Sequence, residues 1–221
     1  MRIIAGRLRS RRFEAPAGLA TRPTSDRLRE TLFNVLGARA EGAAFLDLYA
    51  GSGAVGMEAV SRGAARAVFV ERAAGALKGL RGNLARLGLG EGIGVHAGTV
   101  GGFLRSLPPA HLSGKDKDAA KLGYPDAKVG HAGFDIVFLD PPYDAEGEYE
   151  IVLGLLGDAG APPMSPKPGD LGHPILNDGA VVIAEHRRKD VLKDKYGTLE
   201  RTRLLMQGDA ALSFYLGATS P

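Results

Sequence analysis

The chain has 221 residues, no cysteine and a formal net charge of +3, and charged residues make up 24% of it. This length suits one sizeable core, and the ordinary share of apolar and charged residues excludes a disordered chain. No apolar run approaches the roughly 18 residues that cross a bilayer, and the lack of cysteine excludes disulfides, thiolate metal sites and cysteine nucleophiles. We expect a cytoplasmic monomer with no membrane contact. We also expect no bound metal, because the five histidines lack the spacing of metal ligands.

The basic residues are concentrated in two segments. Residues 1–30 contain eight arginines against three acidic residues, and residues 187–203 contain seven basic residues against three acidic ones. Arginines concentrated on a near-neutral body favour a polyanionic partner, because each phosphate contact releases counterions. A solvated face that keeps the protein soluble is the alternative explanation.

The first predicted elements are a short basic extension and a helix. Residues 1–20 predict a hairpin-like extension, and residues 21–221 the main domain. Residues 22–39 then predict a helix, because leucines and a valine recur at helical spacing after three candidate N-cap residues, Thr24, Ser25 and Asp26.

Strands and helices alternate through the middle of the chain. Strands are predicted over 44–49, 67–71, 93–97 and 134–140, with helices over 54–63 and 73–90. This order predicts a parallel, doubly wound sheet. Strands over 179–186, 198–206 and 210–217 follow, the last two as an antiparallel hairpin. Residues 111–132 and 158–178 are rich in glycine, proline and charge, and predict loop insertions.

The stretch DLYAGSGAVG (47–56) predicts a nucleoside cofactor. Gly51, Gly53 and Gly56 fit G-x-G-x-x-G between a strand and a helix, and Glu71 ends the next strand, where it could bind ribose hydroxyls. The pattern suits a nicotinamide dinucleotide or S-adenosylmethionine. Asp47 favours the second, because a carboxylate repels a pyrophosphate and attracts a cationic ligand, although it could also cap the following turn.

The stretch FLDPPY (138–143) favours methyl transfer. Each proline restricts the residue before it, so the Asp140 carboxylate and the Pro141 carbonyl become two fixed acceptors beside the cofactor. Two acceptors on an exocyclic amino group can turn its lone pair toward a sulfonium methyl, and a carboxylate stabilises the charge that develops on nitrogen. Tyr143 would stack on the unstacked base.

Together, RPTSDRLRETLFNVL, FLDLYAGSGAVGMEAVSRGA, VFVE and FDIVFLDPPY resemble the RsmD-type 16S rRNA (guanine-N2)-methyltransferases. MRIIAGRLRSRRF is similar to the amino-terminal extension of that family. The resemblance implies an α/β, Rossmann-like class I methyltransferase fold, with a seven-stranded mostly parallel sheet and an antiparallel C-terminal hairpin. It also implies S-adenosylmethionine as donor, and ribosomal RNA or the small-subunit particle as partner.

The resemblance also implies roles for individual residues. Asp140, Pro141 and Tyr143 would act on the base. The cofactor would be bound by Thr24, Arg27, Asp47, Ala50, Gly51, Ser52, Gly53, Glu71, Arg72, Thr99 and Asp140. RNA phosphates would contact Arg7, Arg9, Arg11, Arg12 and Arg22.

For two residues, Thr99 and Glu185, the sequence leaves alternatives open. Thr99 replaces the acid that the family pattern places near the adenine amino group, so it would bind the adenine without charge or merely open a helix. Glu185 is expected at the surface beside Arg187 or Arg188.

Three other functions stay open. One is a DNA amino-methyltransferase acting on adenine N6 or cytosine N4, because D-P-P-Y recognises an amino group rather than one base. The others are a nicotinamide-dependent oxidoreductase and a non-catalytic RNA-binding protein.

Overall fold

The computed structural model describes residues 1–15, 24–107, 133–142, 145, 147–158 and 175–217. The elements occur in this order: α1 (Asp26–Leu36), a short 3-10 helix (Gly37–Ala40), β1 (Ala44–Leu48), α2 (Ala54–Ser61), β2 (Arg66–Glu71), α3 (Ala74–Leu87), β3 (Ile93–Ala97), α4 (Val100–Ser106), β4 (Phe134–Leu139), α5 (Glu148–Asp158), β5 (Leu176–Arg187), β6 (Lys195–Tyr196), β7 (Leu199–Gln207) and β8 (Ala210–Gly217).

The strands form one sheet in the order β3-β2-β1-β4-β5-β8-β7-β6. Neighbours from β3 through β5 are parallel, whereas β8 is antiparallel to β5 and β7 is antiparallel to β8. The predicted mostly parallel sheet with an antiparallel C-terminal hairpin is confirmed. An eighth strand, the two-residue β6, pairs with β7 and extends the seven predicted strands at one edge.

The strand order reverses between β1 and β4, because β1 continues to β2 on one side and β4 continues to β5 on the other. In an open parallel sheet the crevice at such a reversal, at the carboxyl ends of the strands, is the usual ligand site. Both stretches singled out in the sequence begin there, since Asp47 lies near the end of β1 and Asp140 follows β4.

Helices cover both faces of the sheet. Leu32 of α1, Met57 of α2 and Leu80 of α3 belong to the core on one face. Phe103 of α4 and Val152 of α5 belong to the core on the other. Helix α5 was not predicted from the sequence, and α4 was anticipated only by the alternative in which Thr99 opens a helix. Among the described residues, no helix has the length and apolar character to span a membrane.

Helix α1 begins as its sequence predicts. The Ser25 side chain accepts a hydrogen bond from the Leu28 backbone N–H at 3.1 Å, so Ser25 is the N-cap among the three candidates. The buried side chains of α1 lie on one stripe of the helix, as the spacing of its leucines indicates.

The amino-terminal extension, residues 1–15, packs into the first core. Its two arms meet at a bridge between Arg2 and Arg12, and Ile3, Leu8 and Phe13 are buried in the core with α1. The separate 1–20 unit predicted from the sequence therefore shares its apolar side chains with the main domain in the part that the structure describes.

A buried carboxylate attaches this extension to α2. The fully buried Glu58 accepts hydrogen bonds from the backbone N–H groups of Ile4 (2.8 Å) and Ala5 (3.0 Å). It also accepts one from Arg62 Nε at 2.7 Å. Gly6 adopts a left-handed φ of 79° where the chain turns against Ser61, whose carbonyl a Cβ would meet at 1.9 Å.

We expect Glu58→Ala to release the extension and to lower the free energy of unfolding by about 3 kcal/mol, because it leaves buried donors and the Arg62 charge without their acceptor. Trypsin cleavage within residues 1–15, measured beside chemical unfolding, checks this. Glu30→Ala, which removes an exposed carboxylate from α1, is the control. Equal cleavage rates in the two variants would contradict the expectation.

The predicted insertion 111–132 lies outside the described residues. Most of the predicted insertion 158–178 does too, but residues 176–178 are not a loop, because β5 begins at Leu176. The strand predicted over 179–186 is therefore longer, and Asn177 at its start is held by the Asp135 carboxylate of β4 at 2.7 Å.

Candidate cofactor and substrate cleft

A cleft of about 280 Å³ opens at the carboxyl ends of β1, β2 and β4. Ten of the predicted site residues line it: Thr24, Asp47, Ala50, Gly51, Ser52, Glu71, Arg72, Thr99, Asp140 and Pro141. Arg27 is exposed on α1 and does not line the cleft, nor does Gly53. Tyr143 lies outside the described residues, so its stacking on a base stays a prediction.

The three positions of the fingerprint require glycine for different physical reasons. Gly51 has a left-handed φ of 53° and open space around its missing side chain. Gly53 also has a positive φ, and a Cβ there would lie 2.4 Å from a Leu80 methyl. A Cβ on Gly56 would lie 2.4 Å from the Phe69 ring. Close packing of α2 on the sheet therefore requires Gly56, and only Gly51 faces the ligand space.

Gly56→Ala is expected to lower the free energy of unfolding by about 1–3 kcal/mol, because the new methyl overpacks the contact with Phe69. The matched control is Gly82→Ala on the exposed side of α3, where a Cβ meets nothing within 4 Å. That change should stabilise the protein by up to about 1 kcal/mol through helix propensity. Urea unfolding of both variants measures the contrast, and a neutral Gly56→Ala would show that α2 has room to shift.

Asp47 lies at the floor of the cleft. It is 2% exposed, and its Oδ2 accepts a hydrogen bond from the Gly56 N–H at 2.8 Å. The pKa of Asp47 is raised to about 8, chiefly by burial; the Gly56 hydrogen bond opposes the shift, and the negative charge of Glu71 contributes to it. The turn-capping role is thus present, and the same carboxyl also lines the cleft, where a cationic ligand would restore its charge.

Glu71 spans the two loops at the end of β2. One carboxylate oxygen accepts from the Gly51 N–H at 2.9 Å, and the other accepts from the N–H groups of Arg72 (2.8 Å) and Ala73 (2.7 Å). These bonds fix the carboxylate between the glycine loop (residues 49–53) and the start of α3. It lines the cleft in the position predicted for ribose binding.

Asp140 leaves β4 at the reversal of strand order. Its strand is registered with β1 so that Phe138 lies beside Asp47, and Asp140, Pro141 and Pro142 all line the cleft. Burial raises the pKa of Asp140 well above its usual value, and the charges of Glu185 and Asp47 raise it further. A positive charge on a neighbouring group would be stabilised strongly by this carboxylate.

The expected surface position of Glu185 is wrong. Glu185 is only 4% exposed, and its Oε2 accepts a hydrogen bond from the Thr24 hydroxyl at 2.7 Å. Thr24 precedes α1 and lines the cleft, so the predicted cofactor residue and this carboxylate form one buried contact. Thr99 both lines the cleft and caps α4, where its hydroxyl accepts from the Gly102 N–H at 3.1 Å.

The predicted RNA-binding arginines lie on the extension, toward the carboxyl-terminal ends of α2 and α3, where the Arg7 N–H donates to the Ser61 carbonyl and Arg11 Nη2 donates to the Arg86 carbonyl. Arg7, Arg9, Arg11 and Arg12 are exposed on the extension, and Arg22 lies outside the described residues. The extension reaches the loop through Asn83 of α3, which is 2% exposed.

Asn83 makes three hydrogen bonds with its carboxamide. Oδ1 accepts from Glu14 N–H at 2.9 Å, while Nδ2 donates to the carbonyls of Glu14 (3.0 Å) and Ser52 (3.1 Å). One buried side chain therefore joins the arginine-rich extension to a loop residue that lines the cleft. In the sequence, the available signal for this contact was the helical spacing of Asn83 with the leucines of α3.

Two polar side chains of the cleft, Tyr49 and Glu148, were missed in the sequence. The Tyr49 hydroxyl donates a hydrogen bond to the Glu148 carboxylate, and both residues line the cleft. Tyr49 has a left-handed φ of 62°, which is costly for a residue with a side chain and is typical of functional sites. Within the described part of the chain, no group of histidine, aspartate and glutamate side chains is placed to hold a metal ion.

The chain is similar to known proteins over most of its length. A family model described as "Conserved hypothetical protein 95" matches residues 1–216. YlbH of Bacillus subtilis (strain 168), by its name a candidate rRNA methyltransferase, is 31% identical over 215 residues, or 97% of this chain and 98% of that protein. Ribosomal RNA small subunit methyltransferase D of Escherichia coli (strain K12) is 38% identical over 160 residues, or 72% of this chain and 68% of that protein.

A solved structure from Escherichia coli, yhhF, described as a candidate methyltransferase, superposes with a TM-score of 0.72 at 29% identity. The match covers 100% of this chain and 99% of that one. The fold described above is thus shared over the whole length of both chains.

Proposed function

This chain belongs to the family described as conserved hypothetical protein 95, and from that membership and the cleft geometry we propose that it methylates the exocyclic N2 of a guanine in 16S ribosomal RNA, with S-adenosylmethionine as donor. The observation that carries the proposal is the juxtaposition of two carboxyls, the buried Asp47 and the half-buried Asp140. Asp47 and Asp140 line one cleft, on adjacent strands, at the reversal of strand order. The pKa of each carboxyl is raised, so a positive charge placed beside either one would stabilise its ionised form.

The lining of the cleft fits S-adenosylmethionine part by part. Asp47 would hold the cationic methionine end, Glu71 the ribose hydroxyls, and the apolar side chains of Val70 and Ala76 the adenine face. Thr99 offers a hydroxyl on the same side. A dinucleotide fits less well, because its pyrophosphate would meet the carboxylates of Asp47 and Glu71.

The donor supplies an electrophilic methyl group on a sulfonium. Asp140 accepts an N–H of the substrate amino group and stabilises the charge that develops on nitrogen, while the Pro141 carbonyl offers the second acceptor. Holding the amino group in line accounts for much of the remaining acceleration, since alignment alone can contribute several kcal/mol. Asp47 and Glu71, by binding the donor, fix the position of the methyl group.

Ribosomal RNA is supported as the substrate by two observations. Relatives that align over most of the chain are named as ribosomal RNA methyltransferases. The extension carries exposed arginines, and Asn83 joins it to the glycine loop, so RNA phosphates bound by the extension would hold the substrate strand on the same body that carries the cleft. The small-subunit particle is the partner in which such an RNA segment is presented.

Transfer of a labelled methyl group tests the proposal. The protein is incubated with methyl-labelled S-adenosylmethionine and, in separate reactions, small-subunit particles, naked 16S RNA or duplex DNA. Label in RNA supports the proposal, whereas label only in DNA would support the DNA amino-methyltransferase. Thermal protection by NAD but not by S-adenosylhomocysteine would support the oxidoreductase. Binding of RNA and donor without any transfer would support the non-catalytic RNA-binding protein.

A further inference from the structure

A second carboxylate stands behind Asp140. The register of the parallel pair β4–β5 sets Leu139 beside Ala184, so Asp140 and Glu185 follow at the same level on neighbouring strands. Phe138 and Ile183 both lie in the core beneath α1, α2 and α3. Because side chains alternate along a strand, Asp140 and Glu185 point to that same face.

Glu185 is anchored from two sides. Its Oε2 accepts the Thr24 hydroxyl, and its backbone carbonyl accepts the Tyr149 hydroxyl of α5 at 2.7 Å. Thr24 is 7% exposed and lines the cleft just before α1. The Glu185 carboxylate is thus held by Thr24 before α1, and its backbone by the start of α5.

We propose that Glu185 is a positioning residue of the methyl-transfer site, which holds Thr24 against the cofactor and acts on the reacting amino group through Asp140. The proposal rests on the proposed function. In the transfer, the amino nitrogen's lone pair forms the new N–C bond, the C–S bond breaks, and its electron pair stays on sulfur. The cationic nitrogen then gives one proton to the Asp140 carboxylate, which passes it to solvent.

The charge of Glu185 makes Asp140 a better acceptor for that proton. Like charges at adjacent positions favour the protonated form of one of them, and Asp140 already experiences burial and the charge of Asp47. The other titratable or charged side chains at this end of the cleft come from three elements: Glu71 and Arg72 at the end of β2, Tyr49 after β1, and Glu148 and Tyr149 at the start of α5.

Two variants separate the two actions of Glu185. Glu185→Gln keeps the shape and an acceptor for Thr24 but removes the charge, whereas Thr24→Val removes the hydrogen bond and keeps the charge. Glu200→Gln removes an exposed carboxylate on β7 and is the control. All are assayed on small-subunit particles across pH, with saturating donor for the pH profile and with varied donor concentration for its KM.

We expect Glu185→Gln to move the acidic limb of kcat/KM down by about one pH unit, because Asp140 ionises more readily without its neighbour's charge. The KM for the donor should change less than about twofold, since the Thr24 contact is retained. Thr24→Val should raise that KM about fivefold without moving the limb, as loss of one hydrogen bond implies. A Glu185→Gln rate that is equally low at every pH, or an unmoved limb, would overturn the proposal.

A measurement without RNA distinguishes this failure from failure of the proposed function. That measurement is the titration of the Asp140 carboxyl in RNA-free protein that binds S-adenosylhomocysteine, and its midpoint should fall in Glu185→Gln and not in Glu200→Gln. If wild-type protein methylates no guanine, the proposed function fails, but the Asp140 midpoint still decides the role of Glu185. If Glu185→Gln does not fold, carboxyl NMR titration of the wild type, assigned with Asp140→Asn, decides it. Titration of Asp140 near its ordinary pKa would overturn the proposal.

Discussion

Replacing Asp140 by alanine should lower kcat for methyl transfer by about 10²–10³-fold while leaving the protein folded, because it removes the group that stabilises charge developing on the amino nitrogen. Asp140 lies in the cleft rather than in either apolar core. The carboxyl has a raised pKa, so its ionisation in the folded protein costs free energy that the variant does not incur. Above pH 7, the free energy of unfolding of Asp140→Ala should therefore equal or exceed that of the wild type. Single-turnover assays with small-subunit particles, beside urea unfolding, check both expectations.

Two controls make the Asp140 result specific. Asp140→Asn keeps one acceptor oxygen and should retain more activity than alanine. Asp209→Ala removes an exposed carboxylate from the turn between β7 and β8 and should leave kcat unchanged. A fall in donor affinity as large as the fall in kcat would instead show that Asp140 mainly binds the cofactor.

Donor binding should depend on pH through the protonation of Asp47. Its pKa of about 8 means that most of the ligand-free protein carries a neutral Asp47 at pH 7. A cationic methionine end stabilises the carboxylate, so donor binding should release a proton and strengthen as pH rises from about 6 to about 8. Asp47→Asn should weaken donor binding roughly 100-fold at pH 8, the scale of a lost buried charge partner, and abolish the release of this proton.

The free energy of unfolding should change with pH in the direction opposite to donor affinity. Because the folded pKa lies above the unfolded value of 3.8, the folded chain retains a proton that the unfolded chain has lost between about pH 4 and pH 8. The contribution of Asp47 to the free energy of unfolding therefore falls as pH rises through this window. Asp47→Asn should flatten that fall.

Calorimetry at several pH values in two buffers measures donor affinity and proton release together, with urea unfolding for stability. Asp209→Asn is the control, because any titration of the donor itself appears equally in both proteins. Affinities that are independent of pH in wild type and equal in Asp47→Asn would contradict this role of Asp47.

Local sequence patterns predicted the central elements of the fold well. The strands β1, β2 and β4 are short and mostly apolar, as strands buried on both faces are, and Gly37, Gly63 and Gly88 follow the ends of α1, α2 and α3. Ser25 was one of three candidate N-caps, and the structure selects it. Helix α4 was anticipated only as an alternative role of Thr99, and α5 was not predicted, for a physical reason. Helix α4 has only seven residues with two glycines, and α5 carries apolar side chains around most of its circumference, so neither shows an amphipathic period.

The site was predictable only where a motif kept its residues close in sequence. Asp47, Glu71 and Asp140 could be identified because each lies at the end of a strand beside a recognisable pattern. Glu185 could not, because its partner Thr24 is 161 positions away and only the β4–β5 register brings it behind Asp140. The glycines show a different limit, since Gly51 and Gly56 carry the same letter for different reasons.

Nucleoside mass spectrometry of the methylated product tests the central claim most directly. Small-subunit particles are methylated by the purified protein with isotopically labelled donor, and the 16S RNA is digested to nucleosides. We predict N2-methylguanosine carrying one labelled methyl group, formed at a single position and absent with Asp140→Ala. Label in another nucleoside, or N2-methylguanosine formed equally by Asp140→Ala, would contradict the assignment of Asp140 to the guanine amino group.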